Sequence, residues 1–167
     1  IRTITRGREV TAPVSLTIEE PGFLTTVQDL GRWGAQHYGV SVSGAMDRVS
    51  LRVANRLVGN REGFAGLEVT MSGPTILFNT ESQVAVSGAD FVIYLDDYPV
   101  SSDTLLLVGR GQRLSFKRRL SGARAYIAVA GGLEVESVLG SSSTHLPSKR
   151  GGLAGRPLQR GDELRVG

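Results

Sequence analysis

Short apolar runs separated by glycine-containing turns make up most of this sequence, which holds 22 glycines among 167 residues. Several runs alternate apolar and polar residues with a period of two, which is typical of a β-strand with one buried face. Turns are predicted at 72–74, 87–90 and 96–97. The predicted strands are 15–19, 67–70, 75–78, 83–86, 91–95, 98–101, 104–108, 112–116 and 124–130. A similar alternation follows both Gly111 and Gly161, and this recurrence favours a β-barrel or a β-sandwich.

One segment departs from the β pattern and predicts the principal α-helix at about 47–58. Asp47 is suited to cap its first turn, and Gly59 is suited to the left-handed position that ends it. Arginines and Asn55, for which a structural role is expected, occupy the other side of the helix. The apolar residues at helical spacing are Val49, Val53, Ala54, Leu57 and Val58.

The composition is that of a globular protein, with 40% hydrophobic and 21% charged residues. No run approaches the roughly 18 apolar residues that a membrane helix needs. The absence of cysteine excludes disulfides, zinc-thiolate sites and thiol catalysis, and it agrees with a cytoplasmic location. Arginines near the amino terminus argue against a secretory signal.

The positive charge, formally +3, comes mainly from arginines that are scattered singly along the chain. Only Lys117-Arg118-Arg119 forms a run, and no aromatic residues are interleaved with it. This pattern argues against nucleic-acid binding. Because the guanidinium group matches carboxylates and phosphates, anionic small molecules or acidic protein surfaces are the expected partners.

Several self-sufficient catalytic motifs are absent. The sequence contains no G-x-x-x-x-G-K-[ST] phosphate loop, no G-x-G-x-x-G that opens a helix, no G-x-S-x-G elbow and no H-E-x-x-H. No metal site is predicted. The chain therefore encodes neither a complete nucleotide hydrolase nor a metalloprotease.

Polar side chains and glycines are concentrated in the stretch 25–47, which is the kind of mixture that forms a hydrogen-bonding pocket. Asp29 and Arg32 are three residues apart, so they either belong to this pocket or pair with each other to brace a loop. His37 is either a general base or a structural hydrogen-bonding residue. Ser43, His37 and Asp47 have the residue types of a hydrolytic triad, but the capping role of Asp47 argues against one.

Three other features have two interpretations each. The first amides of the predicted helix bind either a ligand anion or the side chain of Asp47, and we favour Asp47. Glu68 lies in a half-buried strand and needs a partner such as Arg32 or Arg124, or else it belongs to the site. Residues 140–160 are rich in Ser, Gly and Pro and form a functional or mobile loop, in which 141–144 is either solvent-exposed or part of the site.

The motifs in order resemble the KipA-like family. They read TTVQDLGRWGAQHYGVSVSGAMDRVSLRVANRLVGN, GLEVTMSGPTILF, VAVSGADF, GARAYIAVAGGLEV, VLGSSSTH and GRPLQRGDEL. Members of this family include the C subunit of 5-oxoprolinase, allophanate hydrolase subunit 2 and biotin-dependent carboxyltransferase-domain proteins. The resemblance implies a cyclophilin-like β-barrel. It assigns 16–167 to the amino-terminal half of a KipA-like carboxyltransferase domain and leaves 1–15 as a linker or extension.

The resemblance also implies that this chain is one part of a multi-subunit enzyme and that it is inactive alone. The leading hypothesis is an ATP-dependent 5-oxoprolinase that opens 5-oxoproline to glutamate, as a hetero-oligomer with KipI-like and LamB/YcsF-like subunits. The alternatives are a biotin-dependent carboxyltransferase acting on urea or a similar amide, and a non-catalytic regulator that binds a KipI-like kinase inhibitor. Because the chain has no A-M-K-M sequence, a partner would have to supply the biotin.

The site hypotheses follow the densest of these motifs. The predicted catalytic residues are Asp29, Arg32 and His37. The predicted substrate-binding residues are Gln28, Ser43, Asp47, Glu68, Arg124 and Thr144.

Overall fold

The structure, a computed structural model, describes residues 14–167. Most of the predicted extension 1–15 therefore lies outside the described residues. The strands are β1 Leu16–Glu20, β2 Leu24–Gln28, β3 Gly66–Thr70, β4 Thr75–Phe78, β5 Ser82–Leu95, β6 Tyr98–Val100, β7 Leu106–Val108, β8 Arg113–Val129, β9 Leu133–Glu134 and β10 Glu163–Val166. The helix α1 spans Arg48–Leu57, and short 3-10 turns span Gln36–Tyr38 and Leu146–Ser148. The prediction of a mainly β fold with one principal helix is confirmed within the described residues.

All named strands join one antiparallel sheet built around the two longest strands, β5 and β8. The main path through the sheet is β2-β3-β8-β4-β1-β10-β9, and β5 pairs with β6, β7 and β8. The carboxyl-terminal half of β8 pairs with β3, whereas its amino-terminal end pairs with β4. Because β8 pairs with β4 near its amino-terminal end and with β3 in its carboxyl-terminal half, the sheet curls around the core.

The predicted turn at 87–90 is wrong, because β5 runs through it as one strand of 14 residues. The register against β8 instead shifts between Gly88 and Asp90 and again before Ile93, so β-bulges absorb the extra residues. Gly88 has a φ of 112°, and an added Cβ there would lie 2.7 Å from the carbonyl oxygen of Arg124. The separation of 112–116 from 124–130 is wrong for the same reason, since both belong to β8.

The predicted helix is confirmed, and both of its ends agree with the prediction. The Asp47 carboxylate accepts hydrogen bonds from the amides of Val49 and Ser50, and Gly59 has a φ of 75°. The predicted apolar face is partly wrong, because Val49 and Val53 point outward with 68% and 38% of their surfaces exposed. The buried face is formed by Leu51, Ala54, Asn55 and Val58.

Asn55 is structural, as predicted, but it lies on the buried side of α1 and not on the polar side. Its side-chain amide donates to the carbonyl oxygens of Phe64 at 2.8 Å and Glu62 at 3.3 Å. These bonds fix the chain that leads from α1 into β3. Burial of this amide is therefore compensated by hydrogen bonds.

Two apolar clusters lie on opposite faces of β5 and β8. Inside the curl, Val84, Val86, Ile127 and Val129 join the main core. On the other face, the small side chains of Ala85 and Ala128 leave room for α1 to pack closely. Leu51 of α1 and Tyr126 of β8 belong to the same cluster. The alternation of large and small residues along β5 and β8 thus positions the helix. None of the helices described between residues 14 and 167 has the length and apolar character needed to cross a membrane.

Candidate functional site

The carboxylate of Asp29, directly after β2, holds the loop formed by residues 138–145. Its Oδ1 accepts from Ser141 Oγ at 2.7 Å, Ser143 Oγ at 2.5 Å and the Gly31 amide at 2.7 Å. Its Oδ2 accepts from the Ser142 amide at 2.6 Å. With four donors the carboxylate is fully engaged, so its main effect is to order this loop.

Arg32 holds the same loop through its guanidinium group, which is almost completely buried. Nη2 donates to the carbonyl oxygen of Ser143 at 2.5 Å, and Nε donates to that of Val138 at 3.4 Å. The alternative in which Asp29 pairs with Arg32 is wrong, because the ion pairs of the described chain do not join them. The two residues instead brace one loop from separate positions.

Gln28, Ser43 and Thr144 extend this contact between the loop and β2. Both Gln28 Nε2, at 3.2 Å, and Ser43 Oγ, at 2.9 Å, donate to the carbonyl oxygen of Thr144. Thr144 in turn donates its amide, at 2.9 Å, and its hydroxyl, at 3.0 Å, to the carbonyl oxygen of Val27. The interpretation of 141–144 as a solvent-exposed loop is wrong, because Ser141, Ser143 and Thr144 are buried.

A pocket of about 460 Å³ lies against the outer side of this loop. Two arginines and one histidine line it, and no acidic residue does. We call it the arginine pocket. Its lining consists of Arg32, Gly39, Val40, Ser41, Val138, Leu139, His145, Ser148 and Arg150. The combination of cationic and aliphatic groups suits a small organic anion.

Sequence reasoning missed His145 and Arg150 as members of this pocket. They are held by a tight turn in which the His145 amide donates to the Arg150 carbonyl oxygen at 2.8 Å. His145 Nδ1 lies 2.7 Å from Ser148 Oγ, which fixes the plane of the ring. The available signal was that His145, one of only two histidines, directly follows the motif residue Thr144.

A second group of polar residues lies at the start of α1 and contains Asp47, Glu68, Arg124 and Tyr126. Glu68 Oε2 accepts from the Tyr126 hydroxyl at 2.7 Å and from the Met46 amide at 2.9 Å. Glu68 Oε1 lies 3.6 Å from Arg124 Nε, so the expected partnership of Glu68 with Arg124 is confirmed. We call these four side chains the Glu68 network.

Hydrogen bonding and burial change the pKa of two members of the Glu68 network. The hydrogen bond from the Ser50 hydroxyl, together with the amides of Ser50 and Val49, lowers the pKa of Asp47 below its usual value. Burial, reinforced by the neighbouring Glu68 carboxylate, raises the pKa of Tyr126 well above its usual value. Because Asp47 already occupies the α1 amides, the interpretation in which Asp47 satisfies them is confirmed.

His37 lies apart from both groups. It is exposed on the 3-10 turn Gln36–Tyr38, and its ring centroid lies 3.8 Å from that of Tyr38. The hydroxyl of Ser43 donates to Thr144, and no hydrogen bond in the described part of the chain joins it to His37. The disfavoured triad of Ser43, His37 and Asp47 is therefore not formed.

The structure thus brings together five of the nine predicted site residues around the 138–145 loop, and three others in the Glu68 network. Gln28, Asp29, Arg32, Ser43 and Thr144 form the first set, while Asp47, Glu68 and Arg124 form the second. Residues 43–47 connect the two sets. Across residues 14–167, no three His, Asp or Glu side chains are grouped as metal ligands would be.

The chain is similar to proteins of two named kinds. It is 45% identical over 152 residues to the C subunit of 5-oxoprolinase from Escherichia coli, covering 91% of this chain and 49% of that protein. It is 42% identical over 153 residues to urea amidolyase of Lachancea kluyveri, covering 91% of this chain and 8% of that protein. The chain therefore spans about half the length of the first relative and a small part of the second.

Solved structures also show this similarity to urea amidolyase, and to a urea carboxylase. The crystal structure of the K. lactis urea amidolyase superposes with a TM-score of 0.90 at 41% identity, covering 93% of this chain and 10% of that one. The Kluyveromyces lactis urea carboxylase also gives a TM-score of 0.90 at 41% identity, with 93% and 14% covered. The model of the carboxyltransferase domain, subdomain A and B, matches residues 38–167. The resemblance found in the sequence is confirmed, and this chain belongs to the carboxyltransferase-domain family of subdomains A and B.

Proposed function

We propose that this chain forms part of an ATP-dependent 5-oxoprolinase and that its arginine pocket binds the carboxylate of 5-oxoproline. The observation that carries the proposal is the presence of Arg32 and Arg150, with no acidic residue, in the wall of this pocket. Similarity to the C subunit of a bacterial 5-oxoprolinase supports it. Because the chain spans 49% of that relative, the proposed catalyst is an assembly with companion subunits.

The proposal rests on a chemical match between the pocket and the substrate. 5-Oxoproline carries one carboxylate on a compact lactam ring, and guanidinium groups bind carboxylates through paired N–H donors. Val40, Val138 and Leu139 offer aliphatic surface for the ring methylenes. Urea has no charge and no apolar portion, so this lining favours 5-oxoproline over urea.

Opening the lactam requires its carbonyl carbon to become a better electrophile. Transfer of a phosphoryl group from ATP to the amide oxygen has this effect. Water then adds to that carbon, the C–N bond breaks as the nitrogen takes up a proton, and an acyl phosphate remains. A second water hydrolyses this acyl phosphate, which releases phosphate and leaves the side-chain carboxylate of glutamate. Because Asp47 fills the amides of α1 and the sequence has no phosphate loop, we assign ATP binding to the companion subunits.

The described side chains divide these tasks in the proposal. Arg150, which is exposed, binds the carboxylate. Arg32 adds a second positive charge to the pocket wall, and Asp29 positions Arg32 through the loop that both contact. His145 lies in the pocket wall with Nδ1 held by Ser148, so it is placed to exchange a proton with the ring nitrogen. His37 precedes Gly39 of the rim by two residues and is a second proton carrier when a companion covers the rim.

The other predicted substrate-binding residues act on the shape of the site in this proposal. Gln28, Ser43 and Thr144 hold the loop against β2. Asp47, Glu68 and Arg124 hold the start of α1 and form the border of the site. The proposed companions are a KipI-like subunit and a LamB/YcsF-like subunit, in a cytoplasmic hetero-oligomer.

The second candidate is biotin-dependent carboxyl transfer. The TM-score of 0.90 with a urea carboxylase favours it, and cationic groups would also hold a carboxylated biotin. Any biotin in that case arrives on a partner, because the sequence carries no A-M-K-M acceptor. The two candidate reactions differ in their need for biotin, which only the second requires.

Reconstitution with the two companion subunits tests the proposal. We expect glutamate release from 5-oxoproline that requires ATP and is unaffected by avidin. Arg150→Ala should raise the KM for 5-oxoproline by about tenfold or more, since a charge-assisted hydrogen bond contributes about 1.5–3 kcal/mol. Arg118→Ala is the matched control, because Arg118 is exposed on β8 and does not line the pocket.

Three results would contradict the proposal. Carboxylated product that disappears with avidin would favour biotin-dependent transfer. Full turnover after Arg150→Ala with an unchanged KM would remove the arginine pocket from the reaction. An assembly that binds its companions but turns over neither substrate would favour the non-catalytic regulator.

A further inference from the structure

The outer side of α1 presents an unusual stripe of residues to solvent. Arg48, Val49, Arg52, Val53 and Arg56 follow one another along it, and the two valines are 68% and 38% exposed. A helix side that only faces water usually carries polar residues and no exposed β-branched pair. Val49 and Val53 are four residues apart, so they form one continuous apolar strip beside the row of arginines.

Trp33 extends this stripe at its amino-terminal end. Trp33 is 59% exposed, yet its ring is held in place because Nε1 donates to the Leu30 carbonyl oxygen at 3.0 Å. The guanidinium carbon of Arg48 lies 4.7 Å from the centroid of the ring, which is a cation–π contact. An ordered, exposed tryptophan beside an arginine is the composition of an energetic centre in protein interfaces.

The charge of the stripe is unbalanced. Its three arginines have one carboxylate near them, Glu62, which lies 3.7 Å from Arg52 and 3.3 Å from Arg56. The Asp47 carboxylate is directed into the first turn of α1 and does not neutralise the stripe. A surface that complements this one carries acidic residues beside an apolar strip.

Other occupants fit less well. A second copy of this chain would bring the same arginines face to face. Two exposed valines and one tryptophan offer too little apolar surface for stable membrane binding. Nucleic acid would bind the guanidinium groups but would leave the valines without a partner.

We propose that Trp33 and the stripe formed by Arg48, Val49, Arg52, Val53 and Arg56 are a docking face for a surface of the KipI-like companion subunit that carries acidic and apolar residues side by side. The inference rests on the proposed function only for the identity of that subunit. Trp33 directly follows Arg32, so a companion bound there would lie next to the arginine pocket. It would complete the rim that this chain leaves open.

Titration calorimetry with the purified KipI-like subunit tests the docking face. We expect Val49→Asp to weaken binding by at least about tenfold, because it places a charge in the apolar strip. The Asp side chain is compatible with the first turn of α1, where the helix dipole favours an anion. Trp33→Ala should have a similar effect, and Arg48→Glu should also reduce the salt dependence of binding.

Leu107→Asp is the matched control, because Leu107 is 72% exposed on β7, outside the stripe. It should bind within about twofold of wild type, and thermal unfolding should show that all variants are folded. Wild-type affinity for Val49→Asp and Trp33→Ala would overturn the inference, as would a KipI-like subunit that does not bind. The inference would also be overturned if these residues bound phosphatidylserine vesicles or duplex DNA and not the KipI-like subunit.

Glutamate release by the wild-type assembly reports separately on the proposed function. If turnover occurs and Val49→Asp assembles normally, only the docking face is wrong. If binding weakens as expected but no glutamate forms, only the proposed function is wrong.

Discussion

Tyr126 and Glu68 lie directly opposite each other on β8 and β3, and the Tyr126 hydroxyl donates to Glu68 Oε2 at 2.7 Å. The same hydroxyl accepts from the Asp47 amide at 2.7 Å. One buried phenol therefore connects the sheet to the start of α1. The position of residues 43–47, which join the two sets of site residues, depends on this connection.

Tyr126→Phe should destabilise the fold by about 1–3 kcal/mol, because it leaves the Asp47 amide and the Glu68 carboxylate each without one partner. Urea unfolding checks this expectation. Tyr94→Phe is the control, since the Tyr94 hydroxyl takes no part in the Glu68 network. Equal stability of wild type and Tyr126→Phe would mean that water replaces the phenol without cost.

The same residue predicts a loss of stability in alkali. Burial raises the pKa of Tyr126 in the folded state, so above about pH 10, where an unfolded tyrosine ionises, only the unfolded chain releases this proton. Stability contributed by Tyr126 is therefore complete below that pH and falls as the pH rises. Thermal unfolding between about pH 8 and 11, a range that spans the unfolded tyrosine pKa, should show a smaller decrease for Tyr126→Phe than for wild type.

Asp47 predicts the opposite dependence on pH. Hydrogen bonding lowers its folded pKa, so its stabilising effect is present above the unfolded value of about 3.9 and is lost as the pH falls through the folded value. Asp47→Ala should cost about 0.5–2 kcal/mol near neutral pH, the usual effect of removing an N-cap. The difference from wild type should shrink as the pH falls below the folded pKa.

Asp47→Asn is the informative companion variant for that experiment. Asparagine also caps helices well but does not titrate. It should retain most of the stability at neutral pH and show a flatter acid profile. A profile as steep as that of wild type would assign the acid sensitivity to other carboxylates.

Parts of this fold were accessible to sequence reasoning because local pattern determines them. The alternation at 75–78 coincides with β4, and Asp47 with Gly59 marks the ends of α1. The orientation of α1 was less accessible, because valines and arginines alternate along it and Leu51 was not assigned to the buried face. The buried side is the one whose Leu51, Ala54 and Val58 pack on the small residues Ala85 and Ala128 of β5 and β8.

The strand β2 was missed because its sequence, LTTVQ, reads as part of a polar cluster. Its threonines are nevertheless buried, and the neighbouring Val27 accepts a hydrogen bond from Thr144 of the 138–145 loop. The bonds that join this loop to Asp29, Arg32 and Ser43 span 101 to 114 residues of sequence. No local periodicity reports such contacts, so the arginine pocket could be recognised only once the chain was folded.

Gly151 gives a test of how closely the loop packs on Arg32. It has a φ of 70°, and an added Cβ would overlap the Ser143 carbonyl oxygen and lie 3.0 Å from Arg32 Nη2. Gly151→Ala should therefore lower the free energy of unfolding by more than the roughly 1 kcal/mol expected for an alanine in the left-handed conformation alone. Gly140→Ala is the control, since Gly140 has a φ of 76° with no atom near its Cβ position. Equal losses of stability in the two variants would show that the loop yields without strain.

Asp29→Ala separates the ordering of the loop from catalysis. Removing a carboxylate that accepts four hydrogen bonds leaves buried donors such as the Ser143 hydroxyl unpaired, at about 1–3 kcal/mol for each unsatisfied group. We expect lower stability and a raised KM for 5-oxoproline, because Arg32 loses the loop that fixes it. Asp90→Ala, which removes an exposed carboxylate of β5, should change neither quantity.

Adding Ser143→Ala to Asp29→Ala completes this experiment as a double-mutant cycle. If the carboxylate acts through the loop, the two losses of stability should be strongly non-additive, because both variants break the same hydrogen bond. In the reconstituted assembly the rise in KM should follow the loss of stability across the cycle. Additive losses of stability, or a fall in kcat with an unchanged KM in Asp29→Ala, would instead place the Asp29 carboxylate in the chemical step.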